Sequence, residues 1–126
     1  MSLRKKQSIF ALNVSKLIQF SYENGYEITL GEVLRTQDQQ KLYFEGYKLV
    51  KIGSDLKLAK TSTKSKTMSS KHLKKLAIDI NLFKDGKYLT KREDFKLLAE
   101  YWKSLHEKNT CGYYWRWDMN HFQMSE

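Results

Sequence analysis

The run Leu76 to Phe83, LAIDINLF, limits the possible folds more than any other part of this chain. A short, nearly continuous apolar stretch reads as a strand buried in a sheet, and Asp85-Gly86 just beyond it marks a tight turn. A buried strand needs other elements to cover it. It also accommodates Asp79 poorly, because a carboxylate in such a run is costly to bury unpaired. Asp79 therefore requires partners, either in a buried salt bridge or in a site.

The covering elements lie on both sides. Phe10, Val14, Leu17 and Ile18 recur at helical spacing, which predicts an amphipathic helix from about Gln7 to Glu23 within an N-terminal helical unit, residues 1–25. Tyr26, Ile28 and Leu30 alternate with polar neighbours as in a strand, with Gly31 as a candidate bulge. Thr36 and Gln39 have the spacing of a capping box and predict a helix through QDQQKLYFEG. Residues 48–70 culminate in KTSTKSKTMSS, with almost nothing to bury, and a flexible basic loop is expected there.

Thr90 and Glu93 form a second capping box, and Phe95, Leu98, Trp102 and Leu105 extend a helix over about Lys91 to Glu107. His106, in its last turn, reads as structural. The aromatic stretch Gly112 to Met124 reads as two short strands around a turn at Asp118 to Asn120. Helices and strands alternate without a βαβ rhythm, so the predicted fold class is α+β: a single compact domain, residues 1–126, with a small, largely antiparallel sheet flanked by helices.

At 126 residues the chain supports one core rather than two. Its 23 Lys and Arg against 14 Asp and Glu give +9, which admits nucleic acid, an acidic membrane surface or an acidic wall polymer as partner. The single cysteine, Cys111, excludes an internal disulfide and a Cys-rich zinc site, so a metal here needs His and carboxylate ligands. No stretch approaches the ~20 apolar residues of a membrane span. The basic, then apolar N-terminus is interrupted by Asn13 and Lys16, so cytoplasmic synthesis without a signal peptide is expected.

His72 precedes Asp79 by seven positions, roughly 23 Å in an extended strand at ~3.3 Å per residue, too far to share an ion. The two converge only if the chain bends, at Leu73 to Lys75. His121 completes a His, Asp, His set that leaves a fourth tetrahedral position open for water, as a catalytic zinc site requires. Asp118, three residues before His121, is then the unligated carboxylate that takes a proton from zinc-bound water and passes it to the leaving amine.

Ser70-x-His72, Ala77-x-Asp79 and Asp118-x-x-His121-Phe122 resemble the motifs of the zinc peptidases that include D-alanyl-D-alanine carboxypeptidases and phage L-alanyl-D-glutamate endopeptidases. GEVLRTQDQQKLYFEG, SKHLKKLAIDINLF, DGKYLT and EYWKSL are similar to the phage-lysin branch in the same order. The resemblance implies one Zn2+ held by His72, Asp79 and His121, Asp118 as catalytic carboxylate, and Arg35 and Ser70 as substrate contacts, with Arg35 also meeting the developing oxyanion. It implies the compact fold shared with hedgehog signalling domains. Lys75 stands at a Gly of the family pattern, Gln123 at a frequent Glu, and Cys111-Gly112 at a Trp-Gly pair.

The expected function is that of an endolysin-like, zinc-dependent peptidoglycan peptidase of phage or prophage type. It would be monomeric, act on the wall after release from the cytoplasm, and cut the stem peptide, with the L-alanyl-D-glutamate bond preferred. A D-alanyl-D-alanine carboxypeptidase is the alternative within the family. A basic module for nucleic acid or wall polymer, and a catalytically silent zinc fold, are the alternatives outside it; nucleic acid is not the expected partner, since it leaves Asp79 and Asp118 unexplained. Trp115 and Trp117 carry no assigned role.

Overall fold

The computed structural model describes residues 1–65 and 68–126. Strand β4, Ala77–Lys84, is its spine. Ile78, Ile80 and Leu82 are buried, while Asp79, Asn81 and Phe83 are half-buried, so the period of two sends the aspartate to the face away from the core. This resolves the conflict within LAIDINLF: the strand is apolar toward its helices and polar toward a cleft.

Strand β1, Glu27–Leu30, pairs antiparallel along one edge of β4. The other edge is shared by β7, His121–Met124, near the start of β4, and by β5, Lys87–Leu89, near its end. Strand β6, Asn109–Cys111, continues the sheet beyond β7 in the order β1-β4-β7-β6. Every pairing is antiparallel, as expected.

Helix α1, Leu3–Glu23, and helix α3, Lys96–Leu105, pack together over the apolar face of the sheet. Trp102 is wholly buried between Phe10 and Phe122, edge-on to both rings, and its indole N–H donates to the carbonyls of Thr110 and Gln123 at 3.0 Å each. Asn109 closes the C-terminal end of α3 by donating to the Trp102 carbonyl at 2.9 Å. His106 accepts from the Lys108 amide at 3.1 Å in the same turn.

Several boundaries differ from expectation. Helix α1 starts at Leu3, four residues early, because Ser2 caps it. Thr36 does cap α2, Gln37–Glu45, accepting from the Gln39 amide at 3.1 Å. Thr90 caps nothing: Asp94 accepts from the Lys91 amide, opening a 3-10 turn at Arg92–Phe95 before α3 begins.

The expected flexible loop at 48–70 requires correction over its first half. Tyr47–Ile52 and Asp55–Lys60 form strands β2 and β3, a hairpin around Gly53-Ser54 that stands apart from the main sheet. Lys66 and Thr67, in the second half, lie outside the described residues. The expected strand pair in the closing stretch is also corrected. Gly112–Trp115 is one helical turn, α4, and only β7 follows the bend.

Candidate metal centre

Three segments deliver the side chains. His72 lies in a 3-10 turn, Lys71–Lys74, that Ser70 caps by accepting from the His72 amide at 3.2 Å. Lys75 ends the turn in the left-handed region, φ 56°, so the bend falls where the spacing required it. Asp79 and His121 are direct partners in the β4–β7 register. His121 and Gln123, two apart on β7, share the cleft face while Phe122 enters the core.

Asp79 also anchors the other edge. Its carbonyl accepts from the Gly31 amide at 2.7 Å and its amide donates to the Glu32 carbonyl at 2.9 Å, so two successive residues oppose one, as in a β-bulge. A Cβ on Gly31 would stand 3.0 Å from the Asp79 Cβ and 3.2 Å from its carbonyl oxygen, which is why this position takes glycine.

Among the described residues, His72, Asp79 and His121 form a possible metal site, their ligand atoms all within 4.8 Å of one another. Asp79 Oδ1 lies 3.3 Å from His72 Nε2 and 3.6 Å from His121 Nδ1. Ligands ~2.0–2.1 Å from a tetrahedral zinc are roughly 3.3–3.4 Å apart, so the separations suit that ion. His72 Nε2 and Asp79 Oδ1 are buried without a hydrogen-bond partner among the described residues, facing each other across a gap that a cation would fill.

The far nitrogen of each imidazole is engaged. His72 Nδ1 is 3.0 Å from the Val33 carbonyl, and His121 Nε2 is 2.8 Å from Gln123 Oε1. Both acceptors select the tautomer that leaves the ligand nitrogen with its lone pair toward Asp79.

Burial pushes the Asp79 carboxyl up, but the two close imidazoles outweigh it and hold the pKa at about 2. Burial pushes His121 down, and the neighbouring Asp79, Gln123 and Asp118 raise it beyond that loss. Asp118, with Oδ2 3.7 Å from His121 Nδ1, is raised, chiefly by burial and further by the Asp79 charge, against the lowering effect of His121. A raised carboxylate is the better proton acceptor, although a bound cation would pull all three groups down.

Arg35 is brought to the same cleft with little freedom. Its Nε pairs with Glu32, its Nη1 donates to Gln40 Oε1 at 2.8 Å and to Ser70 Oγ at 3.4 Å, and its guanidinium lies 4.7 Å from the Tyr43 ring centre. Tyr43 in turn donates to Glu32 at 3.1 Å. The cleft encloses about 450 Å3, and Trp115 and Trp117 line it with all the residues predicted for the site.

Glu32, Gln40, Tyr43 and Gln123 are the participants that sequence reasoning missed. The i, i+2 spacing from His121 was a readable signal for Gln123. Nothing local distinguished a wholly buried Gln40 within a polar helix.

Comparison with known proteins gives one family match and one similar fold. The family model described as D-alanyl-D-alanine carboxypeptidase matches residues 63–124, a span that holds His72, Asp79, Asp118 and His121 but not Arg35. No curated protein matches in sequence. The crystal structure of the L-Ala D-Glu endopeptidase ChiX of Serratia marcescens is similar in fold, with a TM-score of 0.65 at 18% identity, covering 92% of this chain and 77% of that one. The small antiparallel sheet with its helical layer and its cleft is thus the framework of a peptidase. Within that class, the match to the D-alanyl-D-alanine carboxypeptidase model extends over 62 of the 126 residues, the part of the chain that carries both histidines and both aspartates of the cleft.

Proposed function

We propose that this protein is a zinc-dependent peptidoglycan peptidase that cuts the wall's stem peptide, at the L-alanyl-D-glutamate bond. The observation that carries the proposal is the buried, unpartnered His72 Nε2 and Asp79 Oδ1 beside His121, with Asp118 next to them and outside the trio. A bound zinc ion would supply Lewis acidity toward the scissile carbonyl and a more acidic water. Asp118 takes the proton from the attacking water and delivers it to the departing amine.

Arg35, fixed by Glu32, Gln40, Ser70 and Tyr43, presents a positioned charge to a substrate carboxylate or to the developing oxyanion. Ser70 has two supporting roles, holding Arg35 and capping the His72 turn. The activity of the Serratia fold relative favours the endopeptidase reading, and the family model's description favours a carboxypeptidase. An endolysin-like enzyme made in the cytoplasm and released to the wall or periplasm is part of the same proposal.

The test is mass analysis of fragments from purified peptidoglycan incubated with zinc-loaded protein, chelator-treated protein and Asp118→Asn. New L-alanine carboxyl and D-glutamate amino termini that require metal and vanish in Asp118→Asn support the proposal. Release of terminal D-alanine replaces it with the carboxypeptidase. Tight zinc binding without cleavage replaces it with the catalytically silent fold.

A further inference from the structure

The β2–β3 hairpin is amphipathic the wrong way round. Cross-strand pairs place Tyr47 with Lys60, Leu49 with Leu58 and Lys51 with Leu56 on one face, and Lys48 with Ala59, Val50 with Lys57 and Ile52 with Asp55 on the other. Val50 and Ala59 are half-buried midway along the hairpin, with Ile52 at its tip exposed, which makes their face the inward one; the opposite face is partly covered only at Tyr47, where β2 leaves α2. The outward face carries Leu49, Leu56 and Leu58, which are 58%, 69% and 60% exposed. Neighbouring apolar side chains on a solvent face mark a contact surface.

The charge on the hairpin identifies the kind of partner. Residues 47–60 hold Lys48, Lys51, Lys57 and Lys60 against Asp55, so the partner is anionic. A soluble polyanion would use the lysines and gain nothing from three leucines. A protein partner needs roughly 800 Å2 from each side, far more than three leucine side chains offer. A bilayer with acidic headgroups meets both features, since Lys51 and Lys60, which share the leucine face, stay at headgroup level while the leucines enter the acyl boundary, and Lys48 and Lys57 add positive charge from the other face.

We infer that the hairpin's outward face is a docking surface for an anionic lipid bilayer. The hairpin is anchored next to the cleft: Thr61 donates to the Gly46 carbonyl at 2.8 Å and Lys64 to the Tyr43 carbonyl at 3.0 Å, and Tyr43, Lys64 and Ser65 line the cleft. Docking there would hold the site close to a membrane surface.

The experiment sediments the full chain with vesicles of phosphatidylglycerol and phosphatidylethanolamine, and separately with phosphatidylcholine vesicles. Binding to the anionic vesicles alone is expected, weakening as salt rises. Leu56→Ser with Leu58→Ser should lower partitioning at least about tenfold. Reversing Lys51 or Lys60 to Glu should lower it about fivefold or more. These side chains are exposed and outside the cleft lining, so circular dichroism and cleavage of soluble wall fragments should be unchanged. No binding to anionic vesicles overturns the inference. Binding indifferent to the leucine changes would reduce the surface to a polyanion site. Self-association that the leucine variant abolishes, seen by sedimentation equilibrium, would make the partner a second copy.

Discussion

Gly112→Ala tests whether Asp118 is placed by its backbone. Gly112 opens α4, and a Cβ there would stand 1.8 Å from the Asp118 carbonyl oxygen and 2.6 Å from that of Trp117. Real Cβ contacts essentially never fall below 3.0 Å, so the Asp118 peptide must retreat by at least 3.0 − 1.8 = 1.2 Å. Asp118 sits at φ 58°, and its carbonyl accepts the His121 amide at 3.0 Å. The retreat therefore breaks the bond that closes the turn.

A displacement of about 1 Å in a catalytic group costs on the order of 100-fold in rate, equivalent to about 2.7 kcal/mol. Losing the buried hydrogen bond costs about 1–3 kcal/mol of stability. With 126 residues and about 2.1 cal/mol/K of unfolding entropy each, that lowers Tm by about 4–11 °C. The assays are kcat/KM on soluble stem-peptide fragments and calorimetric unfolding. Gly53→Ala is the control: it too has positive φ, but nothing lies within 4 Å of its Cβ, so only backbone strain of about 1–2 kcal/mol should appear, with activity intact. Wild-type kcat/KM and Tm in Gly112→Ala would refute the argument.

Gln123→Leu removes the acceptor for His121 Nε2 and is expected to weaken zinc binding about 10–100-fold, measured against a chromophoric chelator; unchanged affinity would show that Gln123 does not orient the ligand. Lys75→Gly relieves about 1–2 kcal/mol of left-handed strain against about 0.5–1 kcal/mol of extra chain entropy, so urea denaturation should show a net gain near 0.5–1 kcal/mol, whereas Lys75→Ala should show little. Asp79 is held at about 2 when folded, against 3.8 as its ordinary value. Its contribution to metal-free stability, about 1.8 × 1.36 or roughly 2 kcal/mol, is thus present above pH ~3.8 and lost as pH falls toward 2. Acid titration of Asp79→Asn should lack that component; an identical acid transition would contradict the assignment.

The cluster of His72, Asp79 and His121 was legible because its residue types are conspicuous: a carboxylate within LAIDINLF, and two of the chain's three histidines beside aspartate-bearing motifs. The bend at Leu73 to Lys75 followed from reach alone. The direct pairing of Asp79 with His121 was not legible, since nothing local records which strands become neighbours. Composition hid the hairpin. Leu49, Leu56 and Leu58 alternate with lysines at strand spacing, but their apolar side faces solvent, so the usual link between pattern and burial fails there. In the closing stretch, aromatic β propensity at Tyr113 to Trp115 yielded to one helical turn, built where Gly112 passes under Asp118. Arg35 could be named from a motif, whereas the Glu32, Gln40 and Tyr43 side chains that hold it required the fold.

The central place of β4 has a consequence for how the molecule comes to exist. Asp79 is tied through its backbone to Gly31 on one side and paired with His121 on the other, at sequence separations of 79 − 31 = 48 and 121 − 79 = 42 residues. Contacts of that range carry a heavy loop-closure cost and form slowly, after local helices and hairpins. The ion would therefore find no pocket in the early chain. It would bind a nearly finished sheet and slow its unfolding more than it speeds its folding, so zinc would act chiefly as a lock.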